Sequence, residues 1–194
     1  MRGRRVVVTV LAVLAVAGCG GRAPAPDVSP PVATAGPVIE LPPRPRDISL
    51  EGLDPCTLLT EPQRAEIGLT TPPKLTEARS GVFNGDIELC TAGGYEPVAI
   101  SVGVTVVTTR GIEVFTGDGV AATVTPIEVR DFPGVRLVPP RPGYCTAVLD
   151  VAPGQLIDVQ FRDGGNDETI ATPVLCDGAE RVAGMVMDTL LALR

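Results

Sequence analysis

Three regimes of hydrophobic patterning divide the 194 residues. Residues 6–17 are apolar apart from Thr9. From about residue 47 to residue 170 apolar residues come in short β-branched runs broken by Gly, Pro and Asp. Beyond residue 172 they recur at helical spacing. Between the first two regimes, residues 20–46 carry eight prolines at positions 24, 26, 30, 31, 37, 42, 43 and 45. Proline fixes φ and removes an amide donor, so neither helix nor sheet propagates through that stretch. An extended spacer is expected there.

Within the second regime, Asp54-Pro55-Cys56 reads as a helix start, with Asp as N-cap and Pro at the first helical position. Thr60 and Gln63 repeat the signal at capping-box spacing, and Gly68 is placed to end that helix. Residues 71–85 read as irregular. A strand is expected over 87–92, a turn at Gly93-Gly94, and the strongest strand over 98–109. Residues 111–122 have no clear pattern beyond a turn at Gly117-Asp118-Gly119. Strands 123–132 and 135–138 flank Pro133-Gly134. Residues 144–151 and 155–162 form a hairpin about Pro153-Gly154, followed by a polar loop over 163–168. Thr172-Pro173 opens a helix to residue 193, with Val174, Ala179, Val182, Ala183, Val186, Met187, Leu190 and Leu191 as its apolar stripe. Met185 and Met187 are read as core filling. These elements make an α+β domain: an antiparallel β-sheet with a short N-terminal helix and a long C-terminal helix packed on it.

The apolar run at 6–17 is about twelve residues long, short of the ~20 a membrane span needs. Arg2, Arg4 and Arg5 precede it and Val16-Ala17-Gly18-Cys19 follows it. A basic start, a short apolar segment and small residues before a cut make a signal peptide, and cysteine at that cut makes a lipobox. The expected organisation is a lipoprotein signal peptide over 1–18, a lipidated Cys19 with a Pro-rich linker over 19–46, and an extracytoplasmic domain over 47–194. A diacylglycerol thioether on Cys19 would hold the protein on the outer face of the cell membrane.

Charge narrows the partners. The net charge is −7, and loss of residues 1–18 removes three arginines and no acid, giving −10. Such a chain has no electrostatic footprint for nucleic acid and is repelled by anionic lipid, so membrane attachment rests on the covalent lipid. Histidine is absent, which removes Ser-His-Asp and Cys-His catalysis and His-ligated zinc.

Apart from Cys19 there are four cysteines, Cys56, Cys90, Cys145 and Cys176, an even number that in an exported chain implies two disulfides. Antiparallel pairing of the 144–162 hairpin puts Cys145 opposite Phe161 or Arg162, one short loop from Cys176. Cys145–Cys176 is therefore expected, and Cys56–Cys90 follows by elimination, fastening the first helix to the sheet.

The order of lipobox, proline-rich spacer, Asp54-Pro55-Cys56-Thr57-Leu58-Leu59 and three later cysteines, the last followed by Ala179, Val182 and Ala183, resembles the actinobacterial lipoproteins of the domain-of-unknown-function 3558 family. A tryptophan often found two residues after the second cysteine is here Ala92. The resemblance implies location and fold and no reaction. A more distant similarity to extracellular sensor domains of mycobacterial receptor kinases implies ligand or partner binding.

Single sites add little. Asp163, Asn166, Asp167 and Glu168 bring oxygens together without the spacing of a calcium loop. Asp47, Glu51 and Asp54 suit a helix start, Glu61 and Glu66 a solvated helix face, and Asp86 and Glu88 a strand surface, with paired-carboxylate chemistry as the alternative. The expectation is a binding module for a small molecule or an envelope protein, without a catalytic residue, metal or cofactor. A structural or assembly role in an envelope complex is the alternative.

Overall fold

The computed structural model describes residues 39–117 and 119–194. The expected signal peptide, Cys19, the linker up to residue 38 and Asp118 lie outside them. Seven antiparallel strands form one sheet in the order β1-β2-β3-β7-β6-β5-β4. They are β1 (Lys74–Ser80), β2 (Gly85–Gly94), β3 (Ile100–Val107), β4 (Thr123–Val129), β5 (Phe132–Val138), β6 (Tyr144–Ala152) and β7 (Gln155–Asp163). The helices are α1 (Glu61–Glu66), α2 (Glu113–Thr116) and α3 (Thr172–Leu193).

The α+β architecture and both disulfides are as expected. Cys56–Cys90 and Cys145–Cys176 have Cα separations of 5.0 and 4.9 Å. Cys145 pairs with Phe161 in the β6–β7 register, so the sheet delivers it beneath the second turn of α3, which carries Cys176.

Alternation sends Cys145, Ala147, Leu149 and Val151 of β6, with Ile157, Val159 and Phe161 of β7, to one face. There α3 covers them with Leu175, Cys176, Ala179, Val182, Ala183, Val186, Met187 and Leu190. Val174, expected on that stripe, is instead 58 % exposed. At ~100° per residue it shares a face with Gly178 and Arg181, away from Leu175 and Ala179. The opposite face of the sheet carries a smaller cluster of Phe83, Val107, Phe115, Val135, Leu137, Val148 and Leu156, closed by Leu41, Ile112 and Val120 from irregular segments.

Asp54 caps a 3-10 turn at Pro55–Thr57, its carboxylate accepting from the Cys56 amide at 2.8 Å. This turn stops short of the helix expected there. The next signal, at Thr60, does start α1: Gln63 Oε1 accepts the Thr60 amide at 2.8 Å. Gln63 also donates to Met185 O at 2.9 Å, tying α1 to α3.

Three local readings change. Residues 71–85 contain β1, which among the described residues pairs along one edge only and is exposed on both faces, so it carries no apolar alternation to read. Gly93-Gly94 lies inside β2. Thr70 and Thr71 amides both donate to Gly93 O, and a Cβ on Gly94 would stand 1.8 Å from Gly68 O. These glycines let the chain leaving α1 cross the strand at backbone contact. The β4–β5 hairpin turns at Arg130-Asp131, both at positive φ, while Pro133 and Gly134 sit in β5. A two-residue turn of this kind commonly carries Asn or Gly, neither of which is present here.

Residues 39–46, read as the end of the linker, lie against the domain. The Ile39 amide donates to Thr116 O at 3.0 Å, Leu41 packs on the smaller cluster, and Arg44 bonds Asp47 and Asp150. A bulge in β6 leaves Val151 out of register, and its carbonyl accepts the Ile48 amide at 2.8 Å. No helix among the described residues is long and apolar enough to cross a membrane.

Candidate functional site

Where α1 ends, the chain rises over β2 and leaves a gap between itself, the first half of α3 and the loop joining β2 to β3. This cleft has a volume of about 720 Å³. Its floor is Phe161 on β7, with Ile100 and Ile170 beside it. Gly178 of α3 lies directly over the Phe161 ring, where a Cβ would come within 2.8 Å of Cδ1. Side-chain-free backbone at that position lets α3 settle onto the sheet without filling the cleft. Ala65 and Ile67 from α1 and its C-terminal end form one wall, Pro97 and Val98 another, and Val174 stands at the mouth. Val98 and Val174 are 46 % and 58 % exposed, so two valines present hydrocarbon to water at one opening.

The polar loop after β7 holds the Val98 wall. Asp163 Oδ1 accepts from the Gly165 and Asn166 amides at 2.8 and 3.0 Å, and Oδ2 from the Ile170 amide at 2.7 Å. These backbone donors pull the Asp163 carboxyl down to about 2. Asn166 in turn grips Ala99: it accepts the Ala99 amide at 2.9 Å and donates to its carbonyl at 2.8 Å. Asp163 and Asn166 are thus the clasp that fixes the β2–β3 loop, and Asp167 and Glu168 are exposed. No group of three His, Cys, Asp or Glu among the described residues is arranged to hold a metal.

The other acids named from the sequence are dispersed. Asp47 pairs with Arg44, Asp54 caps the 3-10 turn, and Asp86 and Glu88 lie opposite Arg79 and Glu77 on the β1–β2 ribbon. Glu66 does reach the cleft, paired with Arg181 at 2.7 Å. Glu96 and Asp177 complete its rim. Sequence reasoning missed Glu96, Val98, Val174 and Asp177. The one available signal was Val174 sharing a helix face with Gly178 and Arg181.

A second depression, of about 570 Å³, opens on the other side of Glu66 and Arg181 and is lined by charge, including Glu128, Arg130, Glu180 and Asp188. Arg130 grips Asp188 in a fork, with both bonds at 2.5–2.7 Å, and Arg136 meets Glu180 at 3.1 Å. These pairs are half-exposed and contribute little to stability.

A disulfide-stapled α+β domain with an apolar cleft between helix and sheet is thus the class of protein that fold and site define. The profile of the family described as Protein of unknown function (DUF3558) matches residues 14–189, and the chain belongs to that family. Comparison with curated proteins and with solved structures gave no match.

Proposed function

We propose that this protein is an envelope lipoprotein, anchored through Cys19 on the extracytoplasmic face of the cell membrane, whose domain binds the apolar body of a small molecule in the cleft over Phe161. The anchor rests on the lipobox at residues 16–19, which falls inside the family match. The binding role rests on one observation: about 720 Å³ of space walled by apolar side chains and opening between the exposed Val98 and Val174. Small-molecule sites are concave and mostly apolar, and exposed hydrocarbon at the mouth of such a space marks an entrance.

The test uses the soluble chain 20–194, which keeps every described residue and both disulfides, and the neutral fluorescent probe N-phenyl-1-naphthylamine. Saturable binding is expected, and Val174→Trp, which fills the mouth from an exposed position, should weaken it by about tenfold or more while leaving stability within about 0.5 kcal/mol. Unchanged probe affinity in Val174→Trp would rule the cleft out. For the anchor, metabolic labelling with an alkyne fatty acid should mark the native protein and lose its signal in Cys19→Ala. A labelled Cys19→Ala protein would refute it.

An assembly role has its own support in β1, whose outer edge pairs with no strand among the described residues and whose residues are exposed on both faces. The cleft is the more developed feature, because its walls are fixed by the Asp163–Asn166 clasp and the Gln63 tie.

A further inference from the structure

The charges around the cleft define its ligand more closely than the apolar walls do, on the reading that the cleft is a binding site. Three carboxylates, Glu66, Glu96 and Asp177, stand on its rim against one guanidinium, Arg181. Arg181 is already committed to Glu66 at 2.7 Å. Glu96 and Asp177 make no ion pair with any described residue, and their side chains accept no hydrogen bond there. The start of α3 offers little to an anion: the Val174 and Leu175 amides both donate to Ala171 O, and Pro173 has no amide proton. Low-dielectric walls strengthen the field of the two unpaired carboxylates inside the opening, and the net charge of −10 after loss of residues 1–18 adds the same sign at longer range.

We propose that the ligand is an amphiphilic cation, with a hydrocarbon body lying over Phe161 and one positively charged group at the rim between Glu96 and Asp177. An anionic amphiphile of the same length would bring its head group onto two carboxylates, and a neutral one would leave them unpaired. The cation alone satisfies floor and rim together.

Three probes of equal chain length separate these cases: decyltrimethylammonium, 1-decanol and decanoate. Each is titrated below its micelle concentration into the chain 20–194 at neutral pH, with the methyl resonances of Val98 and Val174 reporting the site. Decyltrimethylammonium should bind about tenfold or more tighter than decanol, with decanoate weakest, and the preference should shrink to about threefold or less in the Glu96→Gln, Asp177→Asn double variant or at about 0.5 M salt. Decanol binding should be unaltered in that double variant. Decanol binding as tightly as the cation would overturn the charge assignment and leave the cleft standing as an apolar site. Cation binding that survives Val174→Trp would place the cation elsewhere and overturn the proposal. If none of the three moves the two valine methyls, the cleft reading falls with it.

Discussion

Asp158 is buried on the face of the sheet away from α3, level with Thr105 on β3 and Val148 on β6. Its Oδ1 has no hydrogen-bond partner among the described residues. Burial pushes its carboxyl up to about 7, against smaller opposing pulls from Gln160 and Arg162. A carboxyl raised in the folded state favours the protonated form there, so the stability it permits is full below about 4 and is lost as pH rises through about 7. Asp163 has the opposite sign: held at about 2 by backbone donors, it stabilises the fold above about 4 and loses that contribution as pH falls through about 2. Asp158→Asn removes the first slope. Urea denaturation should show the variant near wild type at pH 4 and more stable at pH 8, by up to about 4 kcal/mol on linkage grounds. An unchanged wild-type slope between pH 4 and 7 in Asp158→Asn would mean that another group carries it.

The segment ahead of the first 3-10 turn behaves as an element although it has no regular structure. Arg44 reaches the buried Asp150 carboxyl, whose pKa is raised by burial and partly restored by that guanidinium. The Leu50 amide adds a bond to Gln155 Oε1 at 2.6 Å. Residues 44–50 therefore strap the end of the β6–β7 hairpin. A chain beginning at Asp47 leaves Asp150 buried without its cation, whereas one beginning at Ile39 keeps the pair. The shorter chain should be less stable by about 1–3 kcal/mol. Thermal melts of the two truncations check this, and equal melting temperatures would show that the strap contributes nothing.

For the whole molecule, the two disulfides join its layers at separate points. Cys56–Cys90 ties the 3-10 turn ahead of α1 to β2, and Cys145–Cys176 ties β6 to α3. Their sequence separations are 34 and 31, so in the chain-entropy model each is worth about 3–4 kcal/mol. Removing either pair as a double alanine variant should cost a similar amount by urea denaturation. A loss below about 1 kcal/mol for the Cys145, Cys176 variant would show that packing of α3 on β6 and β7 suffices without the staple. With aromatics at 3 % of the chain and a core that is aliphatic apart from four phenylalanines, the staples are expected to carry a real share of the net stability.

Period and punctuation were legible wherever one face of an element is buried and the other is not. The 144–162 hairpin, the strand with Cys90, α3 and Cys145–Cys176 could be read from the chain, because each rests on a local period or a short connection, and Cys56–Cys90 then followed by elimination. β1 was not legible, because an edge strand exposed on both faces has no alternation. Gly93-Gly94 misled, because its glycines answer a contact with Gly68 that is remote in sequence. The cleft was least legible. Glu96 and Val98 come from a loop, Phe161 from a strand, and Val174 and Asp177 from a helix, and although helical spacing groups Val174 with Gly178 and Arg181, nothing local brings the three segments together. The sequence by itself determined the absence of histidine chemistry, the acidic charge, the fold class and the two staples, since composition, period and cysteine spacing are properties of the chain. Only the tertiary structure decided that Val174 faces water, that Asp163 and Asn166 form a clasp, and that two carboxylates stand over an apolar floor with no ion-pair partner among the described residues. Those facts depend on which segments packing brings together, and packing is settled by the whole sheet and helix at once.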